Sequence, residues 1–256
     1  MADEVRSTAK TTETSLRVLE ALVEEDGATI DGLAERLGLA PSTVHRHLAA
    51  FRKHGYVVED GAEYGPSLRF LTVGGHVQRT TPYFPAIKEK VDALAEETGE
   101  RAQFIVEENG ERVYLYTEVG ASAVQTGAHV GNRGPLHTSA AGKAIMAKLP
   151  TERVEAILDE HGLSKTGPNA ITSTEALAEE FERIRERGYA FNREESTGGV
   201  HAVGSAVTNA DGTVIGALSV SGPASRVKGE RLTVELPEVV LAAVNELELH
   251  INHSVH

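Results

Sequence analysis

Apolar positions recur along this chain at two periods. Between Thr12 and Asp26, Leu16, Leu19, Ala21, Leu22 and Val23 fall at helical spacing, and Asp26-Gly27 ends the run. A second short helix follows in TIDGLAERLG. Thr29 or Asp31 can cap it, Ile30, Leu33, Ala34 and Leu37 form its apolar side, and Gly38 stops it. Pro41 opens a third helix, at the one position where a missing N–H costs nothing. There Val44, Leu48 and Phe51 follow the i, i+4, i+7 rule and must face a core. Tyr56-Val57-Val58 and Ala62-Glu63-Tyr64 then read as short strands turning at Asp60-Gly61. Three helices, the last two tightly linked, and a hairpin predict a winged helix-turn-helix over residues 12–66.

Residues 1–11 read as a disordered polar tail, and residues 67–81 as a linker helix interrupted at Gly74-Gly75. A second domain, 82–256, starts at Pro82 with a helix over 82–98 whose Ile87, Val91 and Leu94 point inward. Strands flank a turn at Asn109-Gly110, and helices follow at 139–149, 151–161 and 174–187. Further strands cover 189–194, 201–208 and 213–220, the last two turning at Asp211-Gly212, before a final helix at 232–252. Helices beside mostly antiparallel, hairpin-linked strands make this domain, and the protein as a whole, α+β.

Charge changes the picture in two places. The chain has 256 residues with 38 acids against 25 Lys and Arg, a formal net charge of −13. Yet residues 36–58 contain no Asp or Glu, where the average density would put about three. On the third helix the side turned away from the core holds Ser42, His45, Arg46, Ala49, Ala50 and Lys53, flanked by Thr43 and Arg52. That slim cationic face suits a major groove lined by phosphates. Ser42, Thr43, His45 and Arg46 are expected to reach base edges or nearby phosphates, and Arg52 and Lys53 the backbone. His47 lies nearer the buried stripe and is assigned to packing. A merely solvated helix face is the alternative, and the ordered helices and wing argue against it.

The second acid-free run is Val119 to Thr151, 33 residues where about five acids are expected; Gly212 to Gly229 is another. Within them lie His129, Arg133, His137, Ser139, Lys143, Ser219 and Ser221. Ser139 is placed to cap the following helix and leave its first N–H groups facing an anion. Ser219 and Ser221 alternate with Leu218 and Val220, so they share one strand face. His137 reads as a structural hydrogen-bonder, and Lys143 as solvated or pocket-facing. Glu194 and Glu195, adjacent on a strand, point to opposite faces and read as structural.

Other chemistry is excluded or weak. Without cysteine the chain has no disulfide, thiolate metal site or Cys nucleophile, which fits a reducing cytoplasm. No apolar run is long enough to span a membrane, and the polar N-terminus lacks a signal core. His250, His253 and His256 have metal-like spacing but sit on a terminal tail without a carboxylate or cysteine, so no metal is expected. No Walker loop, GxGxxG in context or GxSxG elbow is present. No catalytic residue, cofactor or membrane partner is assigned. The competing reading is a small-molecule sensor or enzyme-like domain with an N-terminal interaction module that does not bind DNA.

The segments SLRVLEAL, LAERLGLAPSTVHRHLAAFRKHGYV, PLHTSAAGKAIMAKL, RGYAFNREESTGGVHAVGSAV and GTVIGALSVSGPASR occur in that order. Together they resemble the IclR-type transcriptional regulators over nearly the whole chain. The resemblance implies a winged helix-turn-helix joined to a GAF-like effector-binding domain. It also implies a double-stranded operator, a small carboxylate or aromatic catabolite as effector, and a homodimer formed through N-terminal domains that pairs into a tetramer. It nominates Ala140, Ala141, Ala202, Ser219 and Ser221 for the effector pocket, beside the capping Ser139. Two positions depart from relatives: Ala206 stands where many carry proline, and Ala202 where some carry cysteine. An effector between the 139–149 helix and the 213–221 strand would act on DNA binding through the linker helix.

Overall fold

A computed structural model describes residues 8–123 and 128–253. The chain divides into two compact units, residues 1–81 and 82–256.

In the first unit, helices α1 (Lys10–Glu24), α2 (Ile30–Leu37) and α3 (Pro41–Lys53) precede a hairpin of β2 (Val57–Asp60) and β3 (Glu63–Pro66). The short strand β1 (Ala28–Thr29) adds to β3. Val18, Leu22, Leu33, Val44, Leu48, Val57 and Tyr64 form its core; on α1 the buried residues are Val18, Ala21 and Leu22, while Leu16 and Val23 of the expected stripe are exposed. Thr29 Oγ1 caps α2 by accepting from the Gly32 N–H at 3.1 Å, and Gly38 ends the helix in the left-handed region. Helix α1 begins at Lys10, so Lys10 and Thr11 of the expected 1–11 tail are helical, and residues 1–7 of it lie outside the described residues. The wing turns at Gly61-Ala62, not Asp60-Gly61. Asp60 pairs with Glu63, which leaves Gly61 at the first turn position with φ +61°. Helix α4 (Arg69–Thr80) runs unbroken through Gly74-Gly75, neither of which takes a positive φ. Its Leu71, Val73 and Val77, with Leu68 before it and Leu16 and Val23 of α1, are exposed.

The second unit is built on a six-stranded sheet. Its strands are β4 (Arg101–Glu108), β5 (Glu111–Val119), β6 (Arg133–Pro135), β7 (Ala190–Arg193), β8 (Val200–Thr208) and β9 (Val214–Pro223). They lie in the order β6-β5-β4-β9-β8-β7, every neighbouring pair antiparallel. On one face, α5 (Phe84–Thr98) and α9 (Leu236–His253) pack Ile87, Val91, Val240 and Leu247 against Phe104, Val203, Leu218 and Val220. On the other, α6 (Ala140–Lys148), α7 (Thr151–His161) and α8 (Thr174–Arg187) pack Ala144, Met146, Ile157, Leu177 and Phe181 against Ile105, Ala202, Ala206 and Ala217. Ala206 pairs with Ala217 in regular register, so the absent proline disturbs nothing there. The β4–β5 turn uses Asn109 and Gly110 at φ +54° and +81°, the left-handed pair that a two-residue hairpin favours. The short strand β6 follows no alternation, having only three residues. No described helix is long and apolar enough to cross a membrane.

The sheet therefore has two chemically distinct faces, and the placement of α6 depends on one glycine. A Cβ on Gly204 would lie 2.7 Å from the Ala141 nitrogen, so only glycine lets the start of α6 rest on β8.

Leu48→Ala removes a fully buried side chain from the small first-unit core. It should cost about 3 kcal/mol, read as a lower urea midpoint for that unit.

Candidate ligand cavity and nucleic-acid interface

On α3, Ser42, His45, Arg46 and Lys53 are exposed and Thr43 is half-buried, all on a helix without a carboxylate. Lys10, Thr11 and Thr14 of α1 line a shallow cleft with Thr43, Arg46 and His47. His47 Nδ1 meets Ser15 Oγ at 2.8 Å, which fixes α3 to α1 and bears out a packing role. Arg52 has an ion-pair partner that the acid-free run did not foresee. Its guanidinium pairs with Glu59 on β2 at 2.5 Å, and Glu59 also accepts from the Tyr64 hydroxyl at 2.7 Å. The wing curls its acid onto the helix end, so Arg52 is partly neutralised while Arg46 and Lys53 have no ion pair among the described residues.

In the second unit a cavity of about 390 Å³ opens between α6 and the sheet. Ser139, Ala140, Ala141, Ala202, Ser219 and Ser221 all line it. Strand alternation explains the serines: Leu218 and Val220 enter the core under α5 and α9, so Ser219 and Ser221 must face α6. Gln103, opposite Ser219 on β4, reaches both hydroxyls, its Nε2 lying 3.1 Å from Ser219 Oγ and 3.4 Å from Ser221 Oγ. Ser139 Oγ accepts from the Gly142 N–H at 3.0 Å and so caps α6. Ala140 and Ala141 line the cavity at the positive end of the helix dipole, where the first amides have no acceptor inside the helix.

Ala202 gives only a methyl group. Across the cavity from it stand Arg112 and Tyr114 of β5, with Asn132 before β6. Asn192, Ser196 and Thr197 close the near side through the loop after β7. There Asn192 Oδ1 accepts from the Glu195 N–H at 2.9 Å and its Nδ2 donates to Ser196 Oγ at 2.8 Å. No Asp or Glu lines the cavity among the described residues.

Two cations of the acid-free runs, Arg133 and Lys143, lie away from the cavity, while His137 is the structural hydrogen-bonder expected. Arg133 lies outside, bound to Glu108 and Glu111 at 2.7 and 3.1 Å. His137 is buried away from the cavity, its Nε2 3.0 Å from the Ser164 carbonyl, and burial lowers its pKa. Lys143 is neither solvated nor facing the cavity. It points behind α6, 1 % exposed, into an ion pair with Glu195. Burial pushes the Lys143 ammonium down and the Glu195 carboxyl up, each opposed by the partner's charge. Strand alternation does not apply to Glu194 and Glu195, because β7 ends at Arg193 and Glu194 takes φ +64°. Conversely Gln103, Arg112, Tyr114, Asn132 and Asn192 escaped the sequence reading. Register with Ser219 could have found Gln103. Arg112 sits among glutamates, where counting acids hides it. His250 and His253 lie on α9, which stays helical to His253, and His256 lies outside the described residues.

Two family models match. Bacterial transcriptional regulator IclR C-terminal covers residues 79–249, and the IclR helix-turn-helix domain covers 12–61. The chain is 32% identical over 241 residues to the probable HTH-type transcriptional regulator ArcR of Halobacterium salinarum, covering 93% of this chain and 92% of that one. Its fold resembles the crystal structure of Thermotoga maritima IclR, with a TM-score of 0.80 at 24% identity over 94% of this chain and 98% of that one. An IclR homologue from Microbacterium hydrocarbonoxydans, crystallised with 4-hydroxybenzoate, gives 0.77 at 22% identity, over 94% and 98%.

Because the Lys143–Glu195 pair holds the loop that borders the cavity against α6, removing one partner strands a buried charge. Lys143→Met should cost about 3–5 kcal/mol, and adding Glu195→Gln should recover much of it. Chemical unfolding of the two variants measures the difference.

Proposed function

Since the chain belongs to the IclR family of transcriptional regulators, which bind DNA and carry a C-terminal ligand-binding domain, we propose that its effector is a small organic acid or aromatic catabolite. Held in the α6 cavity, that effector modulates operator binding. The observation that carries this reading is a cavity lined by the first residues of α6 and by Ser139, Ser219 and Ser221, without a carboxylate among the described residues. A carboxylate there can meet hydroxyl and amide donors and no opposing carboxylate. Ala140, Ala141, Ser139, Ser219 and Ser221 are the proposed anion contacts, with Ala202 as an apolar wall. The family is one of regulators, so ligand binding without turnover is the expected outcome.

Ser42, Thr43, His45, Arg46 and Lys53 are proposed to meet the operator, with Lys10 of α1 adding a cation beside Arg46. Arg52 has its charge shared with Glu59 and contributes less. The exposed Val23, Leu68 and Leu71 line an apolar groove with Leu19, Pro66 and Phe70. That surface supports a homodimer with two recognition helices one duplex turn apart, and a dimer of dimers as the larger assembly.

Two experiments test this. Arg46→Ala and Lys53→Ala should each weaken operator binding and lower the slope of log K against log salt by about one; unchanged slopes would remove α3 from the interface. In a thermal-shift screen of small carboxylates and 4-hydroxybenzoate, a binding acid at a hundredfold excess over Kd should raise Tm by roughly 5 °C. Ser219→Ala and Ser221→Ala should shrink that shift, and the same acid should alter operator affinity in a gel shift.

A further inference from the structure

The β4–β5 hairpin carries three glutamates beside Arg112, and each is taken by another arginine. Arg153 holds Glu107 at 2.6 Å, and Arg133 holds Glu108 and Glu111 at 2.7 and 3.1 Å. Arg112 has no carboxylate partner among the described residues, although Glu111 precedes it in sequence. Neutral groups hold it instead. Nη1 donates to the Tyr114 hydroxyl at 2.9 Å, and the guanidinium carbon lies 5.4 Å from the Tyr114 ring centroid. Opposite in register is Gly134, where a Cβ would come 2.8 Å from Nη2. The missing side chain makes room for the guanidinium. Nε is buried with no acceptor among the described residues. A clamped cation with unspent donors thus borders the cavity, at some distance from the serines.

Arg112 is paired in register with Glu107, and Ser219 with Gln103, β4 lying between them. Two strand spacings and four residues of register separate their Cα atoms by roughly 16 Å. The arginine side chain spans part of that distance and leaves room for a chain of a few carbons. A monocarboxylate at the serines would leave Arg112 without an anion. A second carboxylate matches its fork geometry.

We propose that Arg112 is a second anion anchor, and that the cavity takes a dicarboxylate with one end at the α6 start and the Ser219–Gln103–Ser221 group and the other on Arg112. This rests on the reading of the cavity as an acid site. The full-length protein is titrated by calorimetry with succinate, glutarate and adipate, and with the monocarboxylates of equal carbon number, butyrate, valerate and hexanoate. At least one dicarboxylate should bind about tenfold more tightly than its matched monocarboxylate, the scale of one charge-assisted hydrogen bond. Arg112→Met should bring that ratio near one, because the dicarboxylate loses more affinity than its matched monocarboxylate. Arg112→Lys, which keeps the charge but not the fork, should retain part of the ratio, and it serves if the Met variant folds poorly. Monocarboxylate binding without a dicarboxylate preference, or a ratio untouched by Arg112→Met, overturns this inference alone. No binding by either series overturns this inference, and if 4-hydroxybenzoate also fails to bind, the acid-site reading falls with it.

Discussion

The alternation of β9 is the constraint from which the cavity follows. Leu218 and Val220 are fully buried under α5 and α9. A period of two then forces Ser219 and Ser221 to the opposite face, where α6 begins. Gln103 lies opposite Ser219 in register and ties both hydroxyls together. Gly204, next in the sheet, lets the α6 amides approach the same place. A one-residue slip of β9 would bury the serines in the apolar core and expose two aliphatic side chains. The hydrophobic core on one side of the sheet thereby fixes the polar chemistry on the other.

Charge is managed by pairing within short reach rather than by banishing acids from long stretches of sequence. Glu100 is fully buried yet meets both Arg226 and Arg231. Glu180 would be raised by burial, but hydrogen bonds from Arg183 and Arg187 and the Lys143 charge hold its pKa below the usual carboxylate range. In a chain of net charge −13, such pairs decide which cations remain available. They consume Arg133 and Lys143, which the sequence made prominent, and they leave Arg112, which the sequence hid. Ion pairs between residues far apart in the chain are invisible to any window of composition, and that is why the charge count found the right regions and the wrong cations.

The elements whose physics is local were legible. Helix stripes, the Thr29 and Ser139 caps, the Gly38 stop and the Asn109-Gly110 turn each follow from neighbours within a few residues, and the basic face of α3 follows from a single helical period. Strand alternation and the family resemblance together named Ser139, Ala140, Ala141, Ala202, Ser219 and Ser221, which border one cavity. What remained hidden depends on register. Gln103 joins the site only because β4 lies between β5 and β9, and Arg112 only because Gly134 of β6 pairs opposite it. The wing turn moved by one residue for the same reason: cross-strand pairing, not the favoured Asp-Gly dipeptide, chose the corner.

Two surfaces of this acidic protein are suited to anions, and they solve the problem by different means. The α3 face is exposed, and its cations lie within reach of salt. Their attraction for a polyanion is long-ranged, screened over about 8–10 Å at ordinary ionic strength, and driven largely by counterion release. The cavity is small and enclosed by buried neighbours such as Gln103 and Ser219. Its donors are amides and hydroxyls fixed by backbone, where a low local dielectric strengthens each hydrogen bond and salt screens little. In the proposed reading, selectivity in the first comes from a few side chains that reach base edges. In the second it comes from the spacing of fixed donors, which the sheet register sets and no single residue can adjust.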